Sequence, residues 1–256
     1  MAWWSRDDRL AATHLQADVQ SLVARHAEAL PLAAAGRWDD AVAVFEETLD
    51  GCRSVLGPNH PHTLAVAGNL GAAYMSAGEW ESGIDVLAAN LADHVRVLGD
   101  EDERTLTVAD ALAAAYRLTG RLDEAIELSG RVTAERRRTL GLAHPDTLTS
   151  RMGMALARGA AGDVESALTL LRAALNDAEQ AYGARNEHAI ALRGNVGACL
   201  ALLGRTDEAA AVFGQAAKDA AALLGPRHPQ TVELTEDVMN VHDAERFALA
   251  GAPTPA

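Results

Sequence analysis

The chain has 256 residues, which is long enough to bury a hydrophobic core without disulfides or metal ions. Its formal net charge of −14 disfavours binding to nucleic acids and to anionic membrane surfaces. The two cysteines, Cys52 and Cys199, are too few for a disulfide framework and lack a metal-binding spacing, so we expect both to be buried or half-buried apolar residues. Without a secretory signal or an apolar run of membrane-spanning length, the sequence predicts a cytoplasmic protein.

A nine-residue segment, LGPNHPHTL at 56–64, recurs with substitutions every 42 residues. A period of this length indicates stacked supersecondary units. Within each period, two apolar stripes at helical spacing are separated by a glycine, which predicts a helix, a tight turn, a second helix and a short loop. The turn glycines are Gly36, Gly78, Gly120, Gly162 and Gly204, and the loop glycines are Gly57, Gly99, Gly141, Gly183 and Gly225.

In chain order, this pattern predicts an N-terminal extension at 1–13 and a single repeat array at 14–249. Trp3 and Trp4 in the extension would pack on the end of the array or dock to a partner. Pro31 is expected to kink the first helix, or to end it one turn early. The array has five units of two helices and then one capping helix, eleven helices in all, before a disordered tail. The units are 14–55, 56–97, 98–139, 140–181 and 182–223; the capping helix is 229–249 and the tail 250–256.

The residue before the first helix of each unit is His, Asp or Asn, and Pro or Glu follows it. Asp and Asn are strong N-caps, a histidine nitrogen can accept the same bond, and proline suits the first helical position. A zinc site would not tolerate such exchange between repeats. Capping is therefore favoured over metal binding, although His60 and His62 are close enough to deserve a metal test. The five positions are His60, Asp102, His144, Asn186 and His228.

Small residues recur at two further positions of the unit, represented by Gly71 in the first helix and Gly83 in the second. Helices approach closely only where side chains are small, so these positions predict the contact point inside each hairpin and with the neighbouring hairpin.

The stretch NLGAAYMSAGEWESGIDVLAANL, residues 69–91, has the order of large, small and aromatic residues that resembles the tetratricopeptide repeat. The 42-residue length and the LGxxHPxTL opening resemble the kinesin light chain type of this repeat, which is also frequent in bacteria. The resemblance implies an all-α fold, a right-handed superhelical α-solenoid, whose first helices line a concave groove. It also implies that the groove binds a peptide or protein segment.

The resemblance further implies which side chains face the groove. In kinesin light chain-like repeats an asparagine at the sixth position bonds the ligand backbone, and here Asn69 and Asn195 match it, whereas Ala111 and Gly153 do not. Acidic residues of the capping helix would favour a basic ligand segment, or would simply form a solvated face that prevents end-to-end stacking. The candidate groove residues are Asn69, Met75, Asp110, Arg117, Met152, Asn195, Glu236, Asp237 and Asn240.

The sequence contains no phosphate-binding loop, nucleophile elbow or HExxH helix, so we expect no catalytic residues, no cofactor and no metal. The function expected is that of a scaffold or adaptor for a protein partner, without nucleic-acid or membrane binding. The alternative is a regulatory subunit that acts in trans on a bacterial nucleotide-binding signalling or transcription-control protein. A homodimer is a further structural alternative.

Overall fold

The computed structural model describes residues 6–242, and side chains from residue 16 onward. All regular structure in this range is α-helical, in eleven helices, so the expected all-α fold of stacked helix pairs is confirmed. The helices are α1 (Arg6–Ala34), α2 (Trp38–Val55), α3 (Pro61–Ala77), α4 (Trp80–Leu98), α5 (Glu103–Leu118), α6 (Leu122–Thr139), α7 (Pro145–Ala160), α8 (Val164–Tyr182), α9 (Glu187–Leu202), α10 (Thr206–Leu224) and α11 (Pro229–Met239).

The chain divides into two compact units, Met1–Ala115 and Tyr116–Ala256, with the boundary inside α5. In the first unit α1 packs on α2, α2 on α3 and α3 on α4. In the second, each helix from α6 to α11 packs on the next, and α7 also contacts α9. Neighbours in sequence are thus neighbours in space within each unit, as in other repeat arrays.

Each unit has its own hydrophobic core, built from the apolar stripes that the sequence predicts. Phe45 is the largest fully buried side chain of the first core, and Phe213 of the second, each 1% exposed. Cys52 and Cys199 are both buried and unpaired. Burial raises the pKa of the Cys199 thiol to about 11, so the thiol stays protonated at neutral pH and packs as a small apolar group.

Glycine ends the helices because the chain must adopt a left-handed conformation there. Gly78 follows α3 with φ of 84°, its N–H bonds to the carbonyl of Met75, and the next N–H bonds to the carbonyl of Tyr74. The other nine glycines of the two predicted registers also have positive φ.

The end of α1 differs from the prediction, because the helix continues through Pro31 to Ala34. The early end predicted at Pro31 is therefore wrong; the proline lies in the last turn, where its missing N–H interrupts a single bond.

The residues before the first helices act as caps at four of the five positions. The side chains of His60 and His144 accept a bond from the backbone N–H two residues on, at 3.1 and 3.3 Å. Asp102 accepts the equivalent bond at 2.9 Å, and Asn186 accepts from the third N–H at 2.9 Å. The capping interpretation is confirmed at these four positions, whereas His228 makes no side-chain cap bond.

Replacing His60 by alanine is expected to destabilise α3 by about 1 kcal/mol, because the amide of residue 62 loses its acceptor. His60→Asn should retain the stability, since asparagine already caps α9 at the equivalent position. Urea denaturation followed by circular dichroism measures both effects. His228→Ala is the matched control, and a loss there as large as in His60→Ala would mean that capping is not the cause.

In the α3–α4 and α9–α10 hairpins, the small residues lie where the opposite helix leaves no room for a side chain. A Cβ added at Gly71 would lie 2.6 Å from Cγ of Leu87 in α4, and one added at Gly83 would lie 2.7 Å from the sulfur of Met75 in α3. In α9 and α10, a Cβ at Gly197 would lie 2.8 Å from the ring of Phe213. The predicted contact point inside these hairpins is therefore confirmed.

Candidate protein-interaction site

Asn69, the first of the two predicted groove asparagines, already has a hydrogen-bond partner within the chain. Its amide nitrogen lies 2.7 Å from Nε2 of His26 in α1. Because a carboxamide NH₂ is a donor, the imidazole accepts with Nε2 and is neutral in this arrangement. Asn69 is half-buried and ties α3 to the first helix of the preceding repeat.

Asn195 makes the equivalent connection in the second unit. Its amide nitrogen lies 3.3 Å from the sulfur of Met152 in α7, and it also donates to the backbone carbonyl of Ala191 at 3.0 Å. Asn69 and Asn195 both contact a side chain 43 residues earlier, on the preceding first helix. Both amides therefore bridge neighbouring repeats, and a ligand that accepts from the same N–H groups has to replace an internal partner.

The imidazole of His26, which accepts a hydrogen bond from Asn69, packs against two other rings. His26 is edge-on to His62, with ring centroids 5.0 Å apart, and to Phe45, with centroids 5.8 Å apart. Desolvation by burial, and then the proximity of His62, lower the pKa of His26. His26 is therefore neutral at pH 7, which is the state that can accept from Asn69.

Three more of the candidate groove residues lie in α3 and α5. Met75 is half-buried with its sulfur directed at Gly83, so it fills the interior of its own hairpin. Asp110 and Arg117, both in α5, are half-buried. Burial lowers the pKa of the Arg117 guanidinium from its usual range.

The acidic and amide residues predicted at the end of the array lie on α11 and at its C-cap. Glu236 and Asn240 are exposed, and Asp237 is half-buried. The Asn240 side chain donates to the carbonyl of Glu236 at 2.8 Å, just after the helix ends at Met239. Residues 240–242 form a turn, so the expected capping helix 229–249 is wrong at these three positions. Residues 243–249 of that helix, the tail 250–256, and Trp3 and Trp4 lie outside the described residues.

Two clefts of the second unit are formed in part by α7. Met152 lines a shallow cleft between α7 and α9 with a volume of about 10 Å³, too small for more than a single water molecule. A larger cleft of about 370 Å³ lies between α7 and α8, where the lining residues are Met154, Arg158, Glu165, Ser166, Thr169 and Leu170. The candidate groove residues are not among these six.

Two ion pairs in the second unit were not predicted from the sequence. Arg193 Nη1 lies 2.9 Å from Asp219, and Arg151 Nη1 lies 2.7 Å from Asp177. The two pairs are separated by one 42-residue period, and each joins the first and second helix of one repeat. The recurrence of both Arg and Asp after 42 residues is the sequence pattern from which these ion pairs could have been predicted. The Arg193–Asp219 pair stabilises the fold and is not available to a ligand, because the two residues are buried, 7% and 2% exposed.

The described residues contain no group of three or more His, Cys, Asp or Glu side chains arranged to hold a metal ion. In the same part of the chain, no helix is both long and apolar enough to cross a bilayer.

The repeat geometry agrees with a match to a family model. The tetratricopeptide repeat model matches residues 32–82, 64–134 and 145–222, which together are more than half of the chain. The chain belongs to the tetratricopeptide repeat family. No curated protein matches its sequence.

Solved structures show which type of tetratricopeptide repeat the chain resembles. A structure of nearly identical TPR-like repeats of a kinesin light chain from Podosopora anserina is 26% identical, with a TM-score of 0.68 over 79% of this chain and 96% of that chain. The repeats are thus kinesin light chain-like, as the sequence predicts. Two further structures share the fold alone. BtubC (BKLC) from P. vanneervenii is 12% identical with a TM-score of 0.51, covering 94% of this chain and 95% of that one. A Rap protein complexed with competence and sporulation factor is 16% identical with a TM-score of 0.59, covering 90% of this chain and 74% of that one.

Proposed function

We propose that the chain is a non-catalytic scaffold or adaptor that binds a peptide or protein segment along the face of its first helices. The observation that carries the proposal is the pair of half-buried asparagines, Asn69 and Asn195, set in the same way between successive first helices. Small residues flank the first of them: Ala65 and Ala72 are exposed, and Gly68 is half-buried. An extended chain can approach the helix closely across such a surface.

The asparagine amide suits a ligand backbone because it can both donate and accept. Its present partners are an imidazole nitrogen and a thioether, of which the thioether is a weak acceptor. Exchanging either for a backbone carbonyl of the ligand replaces one hydrogen bond by another, so the exchange itself changes the free energy by no more than about 1 kcal/mol. The ligand then gains affinity mainly from the apolar surface that it buries beside the amide.

The charge of the chain favours a basic ligand segment. The net charge is −14, and Glu233 and Glu236 are exposed on α11. Complementary charge mainly raises the association rate and weakens with salt. Binding of a basic segment at α11 therefore predicts an affinity that falls as ionic strength rises, whereas a purely solvated acidic face predicts no such dependence.

The test is affinity capture with the intact chain, the double variant Asn69→Ala/Asn195→Ala, and a matched control, Asn176→Ala. Asn176 is exposed on the second helix α8, where it accepts a bond from Gln180. Proteins captured from a lysate of the source organism are identified by mass spectrometry and their affinities measured by calorimetry. We expect one partner to be retained by the native chain and by Asn176→Ala and lost with the double variant.

Asn69→Ala also removes the bond to His26, so folding must be checked separately. Helical content by circular dichroism should be unchanged in the double variant. His26→Leu provides the opposite test, since it frees the Asn69 amide and should strengthen partner binding. Unchanged binding in the double variant would place the site away from the asparagines. A partner with a nucleotide-binding or DNA-binding domain would identify the adaptor as a regulatory subunit, and turnover of a substrate by the purified chain would overturn the non-catalytic assignment.

A further inference from the structure

Two imidazoles and one carboxamide meet between α1 and α3 in the first unit. His26 and His62 have ring centroids 5.0 Å apart at an interplanar angle of 64°. The amide nitrogen of Asn69 lies 2.7 Å from Nε2 of His26. His62 and Asn69 are two helical turns apart on α3, so they lie on one face of that helix and His26 faces both.

One atom of this cluster is unsatisfied. Nε2 of His62 is buried and has no hydrogen-bond partner. A buried polar atom without a partner is costly and rare in native proteins, and a bound ion is one way in which such an atom is satisfied. The His62 ring packs against His26, and His26 in turn bonds Asn69, so the three side chains are adjacent groups that one ligand could join.

The repeats themselves show that the fold does not require a histidine at position 26. The equivalent residue is Gly68 in the next repeat, and Asp110, Met152 and Gly194 follow at the same spacing. His62 is replaced by Arg104 and Asp146 in the two repeats after it. The pairing of two imidazoles therefore occurs at one repeat junction of the chain and is not a consequence of repeat packing.

We propose that His26, His62 and Asn69 form a binding site for a divalent cation of the zinc type. Two nitrogen ligands of one zinc ion lie about 3.3 Å apart, given Zn–N distances near 2.0–2.1 Å. Rings with centroids 5.0 Å apart reach this spacing by side-chain rotation. A 180° flip of the Asn69 carboxamide presents its oxygen to the ion in place of its nitrogen, because the two atoms are nearly isosteric. Imidazole donors select Zn²⁺, Co²⁺ or Ni²⁺ over Mg²⁺ and Ca²⁺.

Two groups that neighbour the cluster in sequence are already engaged elsewhere. His60, the other histidine of the HPH sequence, uses Nδ1 to cap α3. Arg25, the cation next to His26 in sequence, pairs with Glu47 at 3.0 Å on the exposed surface. The sequence singled out His60 and His62 as the pair that deserves a metal test, whereas the structure pairs His62 with His26. A bound ion would join α1 to α3 and so fasten the first repeat to the second.

The test is calorimetric titration of the intact chain with ZnCl₂, together with the visible absorption of CoCl₂ bound to the same protein. The native chain should bind one ion per molecule at micromolar concentration, with MgCl₂ giving no signal. His26→Gln and His62→Gln should each weaken binding at least tenfold. Asn69→Asp should tighten it at least tenfold, because a carboxylate is a stronger ligand than an amide.

The matched controls are His60→Asn, which keeps the cap, and His144→Gln, which removes a histidine from an equivalent cap elsewhere. Both should bind as the native chain does. Equal weakening in His144→Gln and His62→Gln would indicate adventitious binding by surface histidines and overturn the site, as would the absence of binding by the native chain. If a glutamine variant fails to fold, the Asn69→Asp result decides, since unchanged affinity there contradicts ligation by residue 69. None of these outcomes depends on the proposed partner.

Discussion

Gly83→Leu is expected to lower the free energy of unfolding of the first unit by about 1–3 kcal/mol, since it overpacks the interior of the α3–α4 hairpin. A Cβ at this position would lie 2.7 Å from the sulfur of Met75 and 3.2 Å from the backbone carbonyl of Gly71. Met75 can move, but the carbonyl belongs to a helix and cannot move alone. The two helices must therefore separate, and the larger leucine side chain increases the separation. Urea denaturation gives the magnitude, and hydrogen exchange should show the loss of protection in α3 and α4.

Gly214→Leu is the matched control for this variant. Gly214 is also a glycine inside a second helix, α10, but a Cβ there would have no neighbour within 4 Å. Because leucine forms helix better than glycine by roughly 0.8 kcal/mol, this control should be neutral or stabilising. The smaller change Gly83→Ala should cost less when Met75→Ala is also present, and additive effects of that pair would contradict the proposed contact.

The sequence was sufficient to predict the repeat architecture because each prediction rested on local chemistry repeated at one spacing. Glycine past each helix, and His, Asp or Asn before each first helix, act through the backbone within a few residues. His60 and Asn186 could therefore be recognised as caps without knowledge of their surroundings. The exception, His228, is followed by proline as His60 is, and nothing local distinguishes the two.

The candidate site was less predictable because its side chains act across repeats. The resemblance places Asn69 and Asn195 in a groove, but it does not show that each amide is bonded to a side chain 43 residues earlier. The partners differ, an imidazole in one case and a thioether in the other, so no common motif in the sequence marks the contact. The position of Met75 was unpredictable for the same reason, because its side chain packs against Gly83 on the other helix of the hairpin.

The Arg193–Asp219 ion pair is the clearest feature that the sequence interpretation missed, and removal of one partner alone should have the largest effect on stability. Asp219 is 2% exposed and accepts from Arg193 at 2.9 Å and from Gln215 at 2.8 Å. Asp219→Ala leaves the buried guanidinium of Arg193 with Glu179 as its remaining carboxylate partner. Breaking a buried pair on one side costs about 3–5 kcal/mol, and the retained Glu179 places this variant near the lower end.

The double variant Arg193→Met/Asp219→Ala separates the cost of an unpaired charge from the value of the pair. Removing both charges eliminates the desolvated cation, so the double variant should recover most of the stability lost in Asp219→Ala. Glu208→Ala, which breaks the exposed pair with Arg205 at the start of α10, should leave the urea midpoint almost unchanged. If the double variant is as unstable as Asp219→Ala, the loss comes from packing around residue 219. Recovery would instead show that the loss in Asp219→Ala comes from leaving the Arg193 cation buried without its partner. The exposed pair on α10 avoids this cost because its charges remain in water.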